Sequence, residues 1–446
     1  MLLINFSFEN FRSFREAQQF SMERFGRKAP SETDGAWERP DLSTVAAFYG
    51  PNASGKSNFI AALSCLSRLV RDGYSRGVGG ASLPCEPYLL GRDGEGSPVS
   101  FLADFVADDG VRYVYELSVS GNEVSYEALR AYYTNRPSVL FERDAKREHP
   151  VKFGKYFSGP KAQLWEIVRP GSLLLSAAEA TGNESTQAAF SALSSGIGAY
   201  DASCYESELS NLKRSALRGD RTLVPRLSEL VRYADFGIKG IAVRRADDPP
   251  DVDVDAVLGA LGLDGESEED RSALTDDLRT VWANDVFFLH GGDGGDVWFP
   301  SSRESDGTIA ALSFFSVALR TLGSGGLILV DEIDRSLHPM LVKDFVDLFL
   351  DERTNPRQAQ LVFTTHDVSL MMSAGSFDRL LDRDQVWLVQ KNGEGESELV
   401  PATDYGVRAG ENMGRNYLNG VYRALPHPCF HEAVARLVPE GGGNGR

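Results

Sequence analysis

The chain has 446 residues, of which 42% are hydrophobic and 25% are charged, so it has room for a large core and an accessory region. Its formal net charge of −18 argues against a protein that coats nucleic acid without sequence preference. The four cysteines show no C-x-x-C spacing, which is typical of a reducing cytoplasm. No run approaches about 18 consecutive apolar residues and the N-terminus does not resemble a secretion signal, so we expect a cytoplasmic chain without a membrane span.

Residues 1 to about 60 predict a β-hairpin, a strand and a phosphate-binding loop, in that order. The apolar run Val45–Tyr49 is typical of a strand, and Asn58–Leu69 is typical of a helix. Between them, Gly50–Ser57 fits the phosphate-loop pattern G-x-x-x-x-G-K-[ST] at every position. Glycines let successive backbone N–H groups face a phosphate, and the helix N-terminus adds partial positive charge. The sequence therefore predicts that the chain binds a nucleoside triphosphate.

The loop residues have expected contacts with this nucleotide. Lys56 is expected to reach the β- and γ-phosphates, and the Ser57 hydroxyl is expected to hold Mg²⁺. Mg²⁺ with ATP is the expected cofactor, although the sequence does not separate ATP from GTP. The residues predicted to line the nucleotide are Gly50, Pro51, Asn52, Ala53, Ser54, Gly55, Lys56, Ser57 and Asn58.

The middle of the chain predicts two regions. From Val99 to Phe141 apolar and polar residues alternate, with interruptions at Asp108–Gly110 and Gly121–Asn122, which is typical of an antiparallel sheet with hairpins. From about 187 to 285 the pattern becomes helical and polar. No heptad is sustained over three repeats there, so we expect a compact helical lid or dimerisation arm and not a coiled-coil rod.

This helical region separates its charges. Residues 247–277 contain twelve carboxylates and one arginine, which is typical of a solvated, mobile segment. The preceding stretch, residues 213–245, is mainly basic. It would suit contact with DNA phosphates, or it would be the solvated face of exposed helices, and both alternatives stand.

Two apolar runs in the last third of the chain predict buried strands that end in polar residues. Gly326–Val330 is followed by Asp331 and Glu332, and Leu361–Thr365 is followed by His366. Open α/β sheets place ligands at the carboxyl ends of such strands. Asp331 is then expected to bind Mg²⁺ through water, and Glu332 to polarise the attacking water as general base. Either pattern alone also occurs in purely structural strands; the phosphate loop favours the catalytic interpretation.

A second anion-binding helix start precedes these strands. Glu304–Thr308 leads into the apolar, helix-like stretch from Ile309 to Leu322. Ser, Gly and Thr before a helix leave backbone N–H groups available to an anion.

The order of these motifs resembles the ABC-type ATPase heads of the SMC, RecF and OLD proteins. The resemblance implies an α/β fold of the ABC-type P-loop NTPase class: a mixed sheet with a parallel core, an antiparallel β-subdomain and a compact helical insertion. It also implies catalytic roles for Lys56, Glu332 and His366, the last as the switch histidine, and a metal role for Ser57 and Asp331. Some residues would act on the nucleotide bound to the opposite subunit. These are the signature residues Ser305, Asp306, Gly307 and Thr308 and the D-loop residue Asp334.

The N-terminus adds to this resemblance. Asn10–Phe14 is similar to the N-F-[RK]-S-F segment of these heads, in which Arg12 and Ser13 would approach the nucleotide. For Arg12 an ordinary β-hairpin position is the alternative. The Q-loop glutamine of such heads has no clear counterpart here, and Gln163 and Glu179 are the candidates.

Four segments are similar to one prokaryotic subgroup of these heads: Glu304–Thr308, Asp331–Pro339, Arg383–Trp387 and Asn416–Pro426. The internal segments Leu173–Ala178 and Tyr233–Ile238 agree with it, so the resemblance covers nearly the whole chain. This subgroup contains RloA- and AbiL-like ATPases encoded beside a nuclease in phage-defence (abortive infection) loci. It implies a homodimer that encloses two ATP molecules, slow turnover without a trigger, and a partner nuclease or effector. The expected domains are the N-terminal half of the head (1–186), the helical insertion (187–285), the C-terminal half of the head (286–395) and a C-terminal cap with a disordered tail (396–446).

Three functions remain open from the sequence. A defence ATPase that licenses a partner effector is favoured by the subgroup motifs. A RecF- or SMC-like ATPase that binds DNA directly, through residues 213–245, is the alternative. A regulatory NTPase without a nucleic-acid link is the third.

Overall fold

The computed structural model describes residues 1–24, 37, 39–79, 83–91, 97–234, 237–246, 253–260, 268–372, 380–406, 411–425 and 430–437. The strands are β1 (Leu2–Glu9), β2 (Gln18–Ser21), β3 (Val45–Tyr49), β4 (Val99–Val106), β5 (Arg112–Ser120), β6 (Glu123–Tyr132), β7 (Ser138–Asp144), β8 (Val151–Phe153), β9 (Ile197–Tyr200), β10 (Ile238–Arg245), β11 (Asn284–Gly292), β12 (Gly295–Pro300), β13 (Leu327–Val330), β14 (Gln360–Thr364), β15 (Val386–Lys391) and β16 (Ser397–Pro401). The helices are α1 (Lys56–Gly79), α2 (Lys161–Ile167), α3 (Leu174–Ala180), α4 (Glu184–Ser194), α5 (Tyr205–Leu217), α6 (Leu223–Tyr233), α7 (Val254–Ala260), α8 (Glu268–Trp282), α9 (Asp306–Ser324), α10 (Pro339–Leu350), α11 (Met413–Leu418) and α12 (Phe430–Leu437). Short 3₁₀ helices lie at Ala202–Cys204, Ser301–Arg303, Val368–Met371, Arg383–Gln385 and Ala402–Tyr405.

A six-stranded sheet carries the phosphate loop at its centre. Its strand order is β16-β15-β3-β14-β13-β9, and all neighbours are parallel except β15 and β16. Strands β3, β13 and β14 are buried along their whole length, as apolar strands covered on both faces must be. Their carboxyl ends therefore meet at one edge of the sheet.

A second, antiparallel sheet has the strand order β2-β1-β4-β5-β6-β7-β8. Strands β4 to β7 form the hairpins that the alternating pattern predicted. The mixed sheet with a parallel core and the antiparallel subdomain confirm the predicted fold class.

Two hydrophobic cores cover the two faces of the parallel sheet. One face, with Phe48 and Leu329, packs against α1, α3, α4 and the antiparallel sheet. The other face, with Tyr49 and Val330, packs against α9 and α10. Because successive strand residues point to opposite faces, one five-residue strand contributes to both cores. Helix α1 is thereby enclosed between the two sheets, and the loop that precedes it is held from both ends.

A buried glutamine joins the two sheets directly. The side chain of Gln360, on β14, accepts a hydrogen bond from the backbone N–H of Leu3 at 2.6 Å and donates one to the carbonyl of Leu3 at 2.9 Å. Leu3 lies on β1 of the antiparallel sheet. Buried amides that lose such partners destabilise a fold, so this pair fixes where the sheets meet.

The region predicted to be helical between 187 and 285 is not purely helical, and this part of the prediction is wrong. Strand β9 extends the parallel sheet beside β13, and β10 pairs with β11 and β12 in a separate antiparallel sheet. A four-residue strand between helices is too short to show an alternating pattern, which explains the omission of β9. Likewise β16, in the predicted C-terminal cap, is the edge strand of the parallel sheet. The domain boundaries themselves stay predictions.

Among the described residues, one helix, α9, is long and apolar enough to pass a membrane-span test by length and composition. Half of its most apolar window is buried inside the fold. Ala311 and Phe314 of this helix lie in the core under the parallel sheet, so α9 has the packing of a core helix.

Candidate nucleotide-binding site

The phosphate loop links the end of β3 to the start of α1. Ala53 and Gly55 adopt left-handed backbone conformations, with φ of +61° and +115°. A side chain at Gly50 would place its Cβ 2.3 Å from the carbonyl oxygen of Val389, so only glycine fits there. The loop is thus folded into a tight turn, a conformation that can direct backbone N–H groups at an anion. Within it the Ser54 N–H donates to the Pro51 carbonyl at 3.2 Å.

Lys56 lies across this loop and is buried. Its ammonium donates hydrogen bonds to the carbonyls of Gly50 and Pro51, at 2.9 and 3.1 Å. Burial lowers the pKa of Lys56, and the carboxylates of Asp331, Glu332 and Asp334 oppose that shift. The same three carboxylates therefore lie within electrostatic reach of the phosphate-loop lysine.

Residues that are distant in sequence form hydrogen bonds with the loop and hold its conformation. The hydroxyl of Ser397, on β16, lies 2.6 Å from the carbonyl oxygen of Ser54 and 2.8 Å from the hydroxyl of Ser13. The Asn58 side-chain amide donates to Ser13 at 2.7 Å. Ser13 and Asn58 are predicted nucleotide-binding residues; Ser397 was not predicted, because nothing in its local sequence distinguishes it.

Arg12 lies next to this support but is paired elsewhere. Its guanidinium donates to the carboxylate of Glu86 at 3.1 Å, and its backbone N–H donates to the Glu86 carbonyl at 2.8 Å. Arg12, Ser13 and Asn58 line one cavity of about 530 Å³. Contact of Arg12 with the nucleotide stays a prediction, and the hairpin alternative stays with it.

The Asp331–Glu332 pair is held by the neighbouring strand. The hydroxyl of Thr364, at the end of β14, donates to the Asp331 carboxylate at 2.6 Å and accepts from the Glu332 backbone N–H at 2.7 Å. Glu332 has a left-handed φ of +54°, which turns its side chain away from the strand direction. Thr364 therefore positions both acidic residues at once, although the sequence analysis gave it no role.

Asp334 and His366 face each other across the same edge. Both carboxylate oxygens of Asp334 lie 3.3 Å from the backbone nitrogen of His366, which donates to them. Burial and then the positive charge of Lys56 lower the pKa of His366, while Asp334, Glu332 and Asp331 act in the opposite direction. The structure thus brings together Lys56, Asp331, Glu332, Asp334 and His366.

The signature segment begins helix α9. The Ser305 side chain accepts a hydrogen bond from the Thr308 backbone N–H at 3.2 Å and caps the helix. A Cβ at Gly307 would lie 2.8 Å from the carbonyl oxygen of Ser336, so glycine allows α9 to approach the loop after Glu332. Ser305 and Asp306 are exposed, which suits a surface that meets another subunit.

Among the described residues, neither Q-loop candidate has a side-chain hydrogen bond or ion pair with this edge. Gln163 is exposed on α2, and Glu179 is half-buried on α3, a helix that contacts α1 and α4. The assignment of a Q-loop residue stays open.

The basic stretch 213–245 is partly neutralised within the chain. The pairs are Arg214 and Arg218 with Asp277, Lys239 with Asp296, and Arg244 with the aromatic ring of Trp298. Asp277 and Asp296 each offset one positive charge that would otherwise be available to a phosphate backbone, whereas Trp298 orients the Arg244 guanidinium and leaves its charge unchanged. DNA contact through this stretch stays a prediction, and residues 235–236 of it and part of the acidic segment 247–277 lie outside the described residues.

Removal of the Thr364 hydroxyl should impair turnover. We expect Thr364→Val to lower steady-state ATP hydrolysis about 10-fold, because the Glu332 N–H loses its buried acceptor and Asp331 its donor. Thr364→Ser keeps the hydroxyl and should retain most of the activity. Equal activity in both variants would remove Thr364 from its positioning role.

The His366 imidazole should titrate below its ordinary pKa of about 6.5. It is then neutral at pH 7, and removal of the Lys56 charge should raise its pKa, since that charge opposes protonation. Histidine-selective NMR titration of the wild-type chain and of Lys56→Ala, with His366→Gln to assign the signal, measures both values. An unchanged pKa in Lys56→Ala would show that the two residues are not electrostatically coupled.

A family model described as "AAA domain, putative AbiEii toxin, Type IV TA system" matches residues 45–373. Among solved structures, an SMC head bound to the C-winged helix domain of ScpA is similar with 13% identity and a TM-score of 0.43, over 90% of this chain and 97% of that chain. The SMC head domain from Thermotoga maritima is 13% identical with a TM-score of 0.37, over 90% of this chain and 99% of that chain. ATP-bound RecF is 12% identical with a TM-score of 0.35, over 89% of this chain and 99% of that chain. The comparison with curated proteins gave no significant match.

Proposed function

The chain belongs to the AAA-domain family that matches residues 45–373, and from this premise we propose that it is a Mg²⁺-dependent ATPase switch. Two copies would enclose two ATP molecules between facing heads, and hydrolysis would control a partner effector in antiphage defence. The single observation that carries the ATPase assignment is the edge of the parallel sheet, where Lys56, Asp331, Glu332 and His366 come together from three adjacent strands.

The groups at this edge would have separate roles in phosphoryl transfer. The loop N–H groups and Lys56 would bind the phosphates, and Glu332 would accept the proton of the attacking water. The Thr364 hydroxyl engages one carboxylate oxygen of Asp331. Separately, Ser57 is exposed at the start of α1. These are oxygen ligands of the kind that Mg²⁺ prefers, so the donor set fits a magnesium ion, which would neutralise phosphate charge when bound.

Neutral His366 suits a site that already holds one cation. An imidazole without charge can donate one hydrogen bond and accept another, and it can thereby orient the γ-phosphate or the attacking water. The Asp334 carboxylate accepts the hydrogen bond of the His366 backbone N–H. This contact fixes the backbone position from which the imidazole side chain extends. Catalysis of this kind depends on positioning and on charge stabilisation.

The signature segment would complete the site of the opposite copy. Ser305 caps α9, and the helix start leaves backbone N–H groups of Asp306 and Gly307 for an anion. A two-fold homodimer would place each signature against the partner's nucleotide, because the same surfaces meet in both directions.

Complementation between two inactive variants tests this shared site. Lys56→Ala should lose nucleotide binding, and Ser305→Arg should block the opposite site. An equal mixture should recover about a quarter of wild-type turnover, because about half of the randomly formed dimers carry one intact site of two. Ser302→Arg, an exposed serine three residues away, is the matched control and should stay active. No recovery in the mixture would mean that each chain uses its own signature.

The effector would be identified by trapping the ATP-bound dimer. Glu332→Gln keeps the shape of the side chain but removes the base, so it should accumulate ATP-bound dimers. We expect its affinity purification from the native host with ATP and Mg²⁺, followed by mass spectrometry, to recover a stoichiometric partner protein with nuclease motifs, absent with Lys56→Ala. A dimer that carries only DNA would instead support a RecF- or SMC-like role.

A further inference from the structure

Two cysteine thiols face each other beside the phosphate-loop helix. Cys65, on α1, and Cys85, in the segment 83–91, are free, and their sulfur atoms lie 3.9 Å apart. A disulfide has an S–S distance of about 2.05 Å, so a small displacement of the segment would bring the sulfurs to bonding distance. The two residues are twenty positions apart in sequence, and their proximity is a property of the fold.

The two thiols differ in access to solvent. Cys65 is fully buried, whereas Cys85 is half-buried and lines the cavity of about 530 Å³ that also contains Arg12, Ser13 and Asn58. A small oxidant can therefore reach Cys85 first, and Cys65 is placed directly behind it.

The surroundings favour Cys65 as the second nucleophile. The hydrogen bond with Cys85 lowers the pKa of Cys65, Arg68 and Arg12 lower it further, and burial opposes them. The hydrogen bond with Cys65 and burial raise the pKa of Cys85, so access to solvent, and not acidity, selects Cys85 for the first reaction with an oxidant. The thiolate is the reactive form in sulfur exchange, so Cys65 is suited to attack an oxidised Cys85.

We propose that Cys65 and Cys85 form a reversible disulfide when the protein meets a peroxide. The Cys85 sulfur attacks hydrogen peroxide, the O–O bond breaks, and the thiol proton joins the departing hydroxide, so that sulfenic acid and one water are formed. The Cys65 thiol then attacks the Cys85 sulfur, its proton leaves with the hydroxyl as a second water, and the S–S bond forms. The two thiols lose two electrons to the peroxide, and a thiol reductant reverses the reaction.

The disulfide would act on the predicted nucleotide site, and this consequence rests on the proposed function. Glu86, next to Cys85, holds the Arg12 guanidinium and backbone, and Cys65 lies on the helix that Lys56 begins. If Arg12 binds the nucleotide as predicted, its guanidinium would exchange the Glu86 carboxylate for a phosphate. A cross-link that fixes the Cys85–Glu86 segment to α1 would keep Arg12 in place and weaken ATP binding.

The test combines peptide mapping with nucleotide affinity. The native protein is treated with hydrogen peroxide and digested without reduction, and we expect mass spectrometry to find a Cys65–Cys85 cross-linked peptide that dithiothreitol removes. Oxidation should weaken ATP binding about 5-fold or more in wild-type protein, reversibly, and should have no effect in Cys85→Ser. Cys204→Ser, which removes a half-buried thiol elsewhere, should behave like wild type.

The outcomes separate this proposal from the proposed function. A chain that oxidises Cys85 to sulfinic acid without the cross-link overturns the disulfide, whatever its ATPase activity. A cross-link that leaves ATP affinity unchanged overturns the regulatory effect. If reduced wild-type protein binds no ATP, the ATPase proposal fails, and peptide mapping still decides whether the cysteines pair.

Discussion

The parallel register of four strands is the constraint on which the site depends. Val330, Phe363, Ala47 and Val386 lie side by side across β13, β14, β3 and β15. All four residues are buried, and an unpaired polar side chain is costly in such surroundings. The polar side chains of the site therefore lie where the strands end. The phosphate loop, the Asp331–Glu332 pair and His366 consequently emerge at one level of one edge, where hydrogen bonds from Thr364 and from the His366 backbone N–H join the two later motifs.

These strand ends place the buried ammonium of Lys56 near the carboxylates of Asp331, Glu332 and Asp334. Lys56 keeps two carbonyl partners and three neighbouring carboxylates, yet burial still lowers its pKa. A polyanionic ligand that entered here would meet the carboxylates as well as Lys56, so its attraction would have to come from the loop N–H groups and a metal ion. The charge pattern favours a phosphate bound with its counterion over a bare anion.

The parts of this site that the sequence predicts are those whose signal is local. Gly50–Ser57 and Leu327–Glu332 each carry their chemistry within a few consecutive residues, and the structure places them as expected. Ser397 and Thr364 support those motifs through contacts with residues that are distant in sequence, so no local pattern reveals them. Strand β9 was missed for the same reason, since its only evidence is the pairing with β13.

Helix α9 connects the insertion to the nucleotide site. Phe314 packs under the parallel sheet, whereas Leu312 belongs to the separate core formed with α5, α6, β10 and β11. The Arg320 guanidinium also binds the carboxylate of Glu208, on α5, at 2.7 Å. An ion pair of this kind, shielded on the Glu208 side, resists separation of the two helices more than an exposed one. The core around Leu312 and the first turn Asp306–Thr308 therefore belong to one helix. Under the proposed function, a partner that displaced α5 and α6 would act on the signature segment through this helix.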